Sequence, residues 1–350
     1  MTTTKPFLPL LLVCAFLFLA SACAGGGAPL SDDAFAAAAS LGRGVNFGNM
    51  LDAPREGDWG RWARDEDVDL VAEAGFATIR LPVRFSNHAE TAPPYRLDPE
   101  FIARIDHIVD RALADGLNVI VDFQAYRQIY GEPPEPHESG VEPDRVEERF
   151  VALWAQLAEH FRDRPKQVLF ELLNEPHGAL TPERWNVLLR RTLEVVRARD
   201  PRRMVVIGPA DANIAQDLAK LDLPDDPAII VTIHDYQPFD FTHQGADWVE
   251  HPLPVGVTCC DPRQMARLRF QLDIAAAWGK DHGRPIYLGE FGSIDRADME
   301  SRALFTRAMR EAAERRGMSW AYWEYDAGFG VYDLKAGRWR QPLKDALLGP

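Results

Sequence analysis

The stretch FELLNEPHG, Phe170–Gly178, opens as an apolar run and halts on Asn174, Glu175 and Pro176. A run built for a hydrophobic interior that stops on an amide, a carboxylate and a ring marks a strand end facing a ligand, provided the strand belongs to a barrel or an open parallel sheet. Working outward, the β-rich run VLFELL (168–173) has companions along the chain. They are GVNFG (44–48), ATIRLP (77–82), LNVIVDF (117–123), MVVIG (204–208), IIVTIH (229–234), PIYLGEF (285–291) and SWAYWEY (319–325). The stretches between are helical in pattern. Phe150, Leu153, Trp154, Leu157, Ala158 and Phe161 fall on one helical face, and Thr181–Pro182 reads as an N-cap and first turn before Trp185, Leu188 and Leu189. Strands apolar on both faces, alternating with helices, indicate a parallel sheet. Eight such beats predict one (β/α)8 barrel over residues 41–350. A doubly wound sheet is the alternative, but GRGVNFG (42–48) lacks the G-x-G-x-x-G spacing of its phosphate turn.

The chain has 350 residues, 46% of them apolar and 26% charged, which is ample for a core without a metal or disulfide staple. A net charge of -14 argues against nucleic acid as a partner, and no cofactor or metal motif is present. At the N-terminus, Lys5 precedes the apolar run Phe7–Ala20, too short to span a bilayer comfortably. It leads into LASAC, which resembles a bacterial lipoprotein box. This implies a signal peptide over 1–22, lipidation of Cys23, and a tether over 23–40 beginning AGGGAPLSDD. Ordinary signal-peptide cleavage with Cys23 incidental, which would give a secreted protein, is the plainer alternative. The expectation is an exported, membrane-anchored monomer, periplasmic or at the cell surface. Cys14 leaves with the signal, and the adjacent pair Cys259–Cys260 has no zinc spacing; it is read as free or bridged to itself.

At the C-terminal ends of the predicted strands stand Asn46 and Asn49, Arg80, Asp122 with Gln124, Asn174 with Glu175, His234 with Tyr236, Glu290, and Trp323. In a barrel these form a ring around one cavity. Each also has a structural reading: Arg80 as an ion-pair partner, His234 as a hydrogen-bonded core histidine, Trp323 as packing, Glu175 as a helix cap. Two carboxylates, Glu175 and Glu290, end the fourth and seventh strands, with no competing Ser or Cys nucleophile motif. Such a pair suits glycoside hydrolysis, in which one carboxyl group protonates the leaving oxygen and the other attacks the anomeric carbon or activates water. The residues alone leave open which glutamate plays which part.

The blocks LLNEP (172–176), GRGVNFGNMLDAP (42–54), EAGFATIRLPVRFSNHA (73–89), TIHDYQPFDFTHQGADW (232–248), PIYLGEFG (285–292) and SWAYWEYDAGFGVYD (319–333) together resemble glycoside hydrolase family 5, the retaining β-glycanases. The resemblance implies Glu175 as general acid/base and Glu290 as nucleophile. It also implies Arg80 supporting the nucleophile, Asn174 reading the 2-hydroxyl, His234 and Tyr236 steadying the carboxylates, and Trp323 as a platform under the sugar. The expected activity is endo-acting hydrolysis of a β-1,4-linked polysaccharide or oligosaccharide, glucan first. The alternatives are another β-glycan (mannan, xyloglucan or an amino-sugar polymer) and a carbohydrate-binding surface protein that has lost catalysis. The family's usual His-His-Tyr after the third strand is here Gln124-Ala125-Tyr126. Asp211 and Ala212 stand where an aromatic is usual, and the loop Gly131–Asp144 is long. These departures bear on the substrate and leave the carboxylate pair intact.

Overall fold

The computed structural model describes residues 1–2 and 33–349. Nearly all of the expected signal segment, Cys23 and the tether as far as residue 32 lie outside the described residues. Eight parallel strands close into a barrel in sequence order: β1 (Arg43–Asn46), β2 (Thr78–Val83), β3 (Asn118–Phe123), β4 (Val168–Glu171), β5 (Val205–Ile207), β6 (Ile229–His234), β7 (Ile286–Glu290) and β8 (Ser319–Tyr322). β1 pairs with both β2 and β8, which completes the ring. Each strand lies within one of the runs expected from the sequence or overhangs it by one residue.

The return path after β5 is a 3-10 segment, Ala215–Lys220, rather than an α-helix. The other crossovers carry α-helices, the longest running from Pro262 to His282 after β6. Outward-facing strand residues such as Val45, Ile79, Val121, Phe170, Val231 and Leu288 join the helices in the main hydrophobic cluster. Trp154 and Trp185 are buried in that layer, and each donates its indole N–H to a backbone carbonyl, Leu172 and Gly208.

Inside the barrel the layers change character from bottom to top. Ile120, Leu169, Val206, Ile230 and Ala321 fill the N-terminal end, and a helix, α1 (Ala34–Leu41), closes it with Ala34, Ala37, Ala38 and Leu41. This corrects the reading of 23–40 as a tether throughout. Asp33 accepts the Phe35 N–H at 2.9 Å as an N-cap, and the alanine run that follows is the best of helix formers. Two residues further along the inward faces, apolar side chains give way to Asn46, Arg80, Asp122 and Glu171, all buried. The floor of the site is therefore polar and charged.

Candidate active site

Arg80 is the hub of that floor. Its Nε and Nη2 donate to the two oxygens of Glu171 at 2.7 and 2.9 Å, a two-pronged pair with both side chains fully buried. Nη2 also donates to Asn174 Oδ1 at 2.9 Å, and Nη1 to Asn46 Oδ1 at 2.9 Å and Glu290 Oε1 at 2.8 Å. Asp122 lies 3.2 Å from Nη2. Burial drives the Asp122 pKa well above the usual carboxylate range, with Arg80 opposing and the charges of Glu171 and Glu290 adding to the rise. Asn46 acts from beneath. Its amide donates to the Gly289 and Tyr322 carbonyls, so it braces Arg80 between β7 and β8.

Glu290 accepts from Arg80 on one oxygen and from the Tyr236 hydroxyl, at 2.8 Å, on the other. Burial and the Glu290 charge keep the Tyr236 phenol protonated far beyond its ordinary range, so it remains a donor. Glu175 Oε1 is 2.8 Å from His234 Nδ1, and the same nitrogen is 3.7 Å from Glu290 Oε2. One oxygen of each glutamate and one nitrogen of His234 fall within 4.8 Å of one another. A register shift between β6 and β7 sets His234 opposite Glu290. Gly289 makes room for the ring, since a Cβ there would come within 2.9 Å of Nε2.

Burial raises the Glu290 pKa, opposed by His234 and Arg80. Glu175 is also pushed up by burial, but the hydrogen bond and charge of His234 outweigh this and hold it low. His234 itself is drawn up, against burial, by the charges of Glu290 and Glu175. Glu175 and His234 are thus coupled through their 2.8 Å contact, each moving the other's pKa. When the imidazole is neutral, burial and the neighbouring Glu290 charge favour the proton on Glu175.

The backbone explains why the run Val168–Leu173 stops where it does. Glu175 has φ 45, a left-handed conformation rare outside glycine, and Pro176 follows. The turn is held at several points. Tyr130 donates its hydroxyl to the Asn174 carbonyl at 2.8 Å, His177 Nδ1 donates to the Glu175 carbonyl at 2.5 Å, and the Ala212 N–H donates to the Pro176 carbonyl. The strand ends so that the carboxylate can enter the cleft.

Above the floor lies a cleft of about 480 Å³ lined by Glu175, Glu290, Asn174, Tyr236, Gln124 and Trp323, among others. The Trp323 ring lies over Gly48, where a Cβ would come within 2.7 Å of it. Gln124 and Ala125 both line the cleft, and Gln124 Oε1 is buried with no protein partner. Every site residue expected from the sequence is therefore gathered at the C-terminal end of the barrel, apart from Cys23, which lies outside the described residues. Asn46, Arg80 and Asp122 lie in the floor below, and the rest reach the cleft or its carboxylates. Sequence reasoning missed Glu171, Asn213 under His234, and the loop residues Trp59, His177 and Trp248 that also shape the site. The adjacent Cys259 and Cys260 are joined in a disulfide.

A family model described as Cellulase (glycosyl hydrolase family 5) matches residues 41–328. Endoglucanase H of Acetivibrio thermocellus is 30% identical over 330 residues, a match covering 92% of this chain and 34% of that protein. Endoglucanase A of Ruminococcus albus is 28% identical over 337 residues, covering 87% of this chain and 89% of that one. The structure superposes on Thermotoga maritima Cel5A, solved in complex with mannotriose and with cellobiose, with a TM-score of 0.86 and 42% identity over 90% of this chain and 100% of that chain. The chain thus spans about a third of the length of Endoglucanase H and most or all of the other two.

Proposed function

Because the chain belongs to glycosyl hydrolase family 5, the cellulase family, we propose that it hydrolyses β-1,4-linked glycans internally, glucan foremost, with retention of anomeric configuration. The observation that carries this reading is the spacing of Glu175 and Glu290, whose nearer oxygens lie within 4.8 Å. Retaining glycosidases hold their carboxyl groups about 5–5.5 Å apart, and inverting ones about 6.5–9.5 Å to admit a water. A sugar stacked on Trp323 presents its anomeric carbon to Glu290. Arg80 and Tyr236 hold that carboxylate oriented, one donor to each oxygen. Glu175 gives its proton to the glycosidic oxygen as Glu290 forms the bond to carbon. Glu175 then takes a proton from the water that releases the sugar. Asn174, fixed by Arg80, offers its remaining amide hydrogens to a hydroxyl beside the reacting carbon.

The names of the relatives support glucan, and the mannotriose and cellobiose complexes of Cel5A support tolerance at the hydroxyl that distinguishes the two sugars. A second reading, a decorated or amino-bearing β-glycan, is favoured by one feature: the unpartnered Gln124 Oε1 beside Ala125 in the cleft. The test is NMR of cellopentaose hydrolysis. The β-anomer should appear first, and early α-anomer removes Glu290 as nucleophile. Failure to release new reducing ends from any of a panel of β-glycans would leave only the binding-protein reading.

Location is proposed on the sequence alone: export, with anchoring through a lipid on Cys23. Among the described residues no helix is long and apolar enough to cross a membrane. Mass spectrometry of the mature chain tests the anchor, and an N-terminus other than acylated Cys23 removes it.

A further inference from the structure

The segment after β5 has an unusual backbone. Asp211, Ala212 and Asn213 have φ values of 62, 58 and 57, three left-handed residues in succession and none of them glycine. Such a run is costly and persists only where its surroundings over-determine it. Here they do. The Ala212 N–H donates to the Pro176 carbonyl at 3.2 Å, the Ile214 N–H to the Asp211 carbonyl at 3.3 Å, and the His234 N–H to the Asn213 carbonyl at 3.0 Å. The turn is thereby tied to the residue after Glu175 on one side and to His234 on the other.

Its result is the placement of one amide. The Asn213 side chain is fully buried, with Nδ2 3.3 Å from His234 Nε2 and Oδ1 without a partner. Two glycines clear the space. A Cβ on Gly208 would come within 2.1 Å of Asn213 Oδ1, and one on Gly289 within 2.9 Å of His234 Nε2. Three strand ends therefore converge on a single hydrogen bond behind the imidazole.

We propose that Asn213 is a positioning residue: by donating to His234 Nε2 it confines the ring proton to Nδ1, so that Glu175 Oε1 accepts and the proton Glu175 delivers rides on Oε2. An imidazole nitrogen that accepts from an amide N–H carries no proton of its own, so the neutral ring must carry its proton on the other nitrogen. That nitrogen, Nδ1, faces Glu175 Oε1 at 2.8 Å. An oxygen already accepting there is not the one that holds the acid's proton. The proton is left to Oε2 of a side chain that lines the cleft. With the opposite tautomer, Nδ1 would offer a lone pair, and the carboxyl proton would point back into His234 and away from the glycosidic oxygen.

The donor at Nε2 also opposes a second proton on the ring. That matters because the groups facing His234 pull toward the imidazolium: Glu290 from β7 and Glu175 beyond β4. Arg80 from β2 opposes it, and Tyr236, Asp235 and His243 on the segment after β6 and His177 after β4 complete the surroundings.

The inference rests on Glu175 being the acid, and the test separates the two. Asn213→Asp presents an acceptor to Nε2 and draws the ring proton there. Its kcat/KM on cellopentaose should fall about 100-fold, the scale of a lost general acid. On 2,4-dinitrophenyl β-cellobioside, whose leaving group needs no proton, kcat/KM should change less than about threefold. Asn213→Gly keeps the left-handed turn and removes the amide, and should show the same selective loss in smaller measure. Proton–nitrogen correlation NMR of the wild type should place the His234 proton on Nδ1. Equal losses on the two substrates, full activity of Asn213→Gly on cellopentaose, or a wild-type proton on Nε2 would each overturn the proposal. Wild type that cleaves neither substrate refutes the hydrolase reading instead.

Discussion

Removing Glu171 should reveal that Asp122 is a reserve counter-ion for Arg80. The floor of the barrel holds one guanidinium and three nearby carboxyl groups, all buried. Glu171 takes two of the Arg80 donors and Glu290 a third, while neither oxygen of Asp122 makes a hydrogen bond. Asp122 is the acid kept protonated, by burial and by the charges of Glu171 and Glu290. In Glu171→Gln one of those raising influences disappears and Arg80, 3.2 Å away, is left short of negative charge. Asp122 then ionises in its place. Stripping a buried ion of its partner costs about 3–5 kcal/mol when nothing replaces it. With Asp122 stepping in, Glu171→Gln should cost only about 2 kcal/mol, near the worth of a charged hydrogen bond. Asp122→Asn, which replaces a neutral acid by a neutral amide, should cost less than about 1 kcal/mol. The double variant has no reserve and should lose the full 3–5 kcal/mol, or roughly 1–2 kcal/mol more than the two singles added. Urea unfolding at pH 7 with an unchanged m-value measures all four corners of the cycle. A double variant additive to within about 0.5 kcal/mol refutes the reserve role.

Two further outcomes are expected. Ala125→His restores a polar contact to the sugar and should raise kcat/KM on cellopentaose roughly 2- to 10-fold, the equivalent of about 0.5–1.5 kcal/mol; a fall would mean that the substrate itself needs the space beside Gln124. Glu324 is buried against Asn49 Nδ2 and the Phe329 N–H, and burial lifts its pKa to about 8 in spite of both bonds. A carboxyl group raised in the folded state gives its full stability below its ordinary value of 4.5 and loses it as pH climbs through 8. Glu324→Gln should therefore gain on the wild type by roughly 1.4 kcal/mol per pH unit between pH 5 and 8. A stability difference that stays flat over that range contradicts the assignment.

The eight strands could be read from the sequence because each is a short β-rich run buried on both faces, and the ends of such runs point to the site. The charges inside those runs are readable too: Arg80 and Asp122 are read from the sequence as strand-end residues, and Glu171 is not read at all. Arg80 sits mid-strand in TIRLPV, and a buried guanidinium requires a carboxylate at the same depth. Asp122 and Glu171 are register partners on β3 and β4, and Asp122 is in register with Pro82, two residues above Arg80. The side chain of Arg80 is long enough to reach that layer. Asking where its charge goes leads to Glu171, hidden in VLFELL by the apolar residues around it. α1 was readable on the same principle, as an alanine run behind an Asp cap, had the glycines before it not set the reading of the whole segment. Asn213 is of another kind. Its role depends on three left-handed residues, on Gly208 and Gly289 from two other strand ends, and on a register shift between β6 and β7. No spacing within DAN announces such a coincidence. Loop residues such as Trp59 and Trp248 are hidden for a related reason: a strand carries its end to a place the barrel dictates, whereas a loop's course depends on packing between segments far apart in the chain. What the sequence conceals is therefore concentrated in the partners of the reacting groups, where function depends on two or more segments meeting.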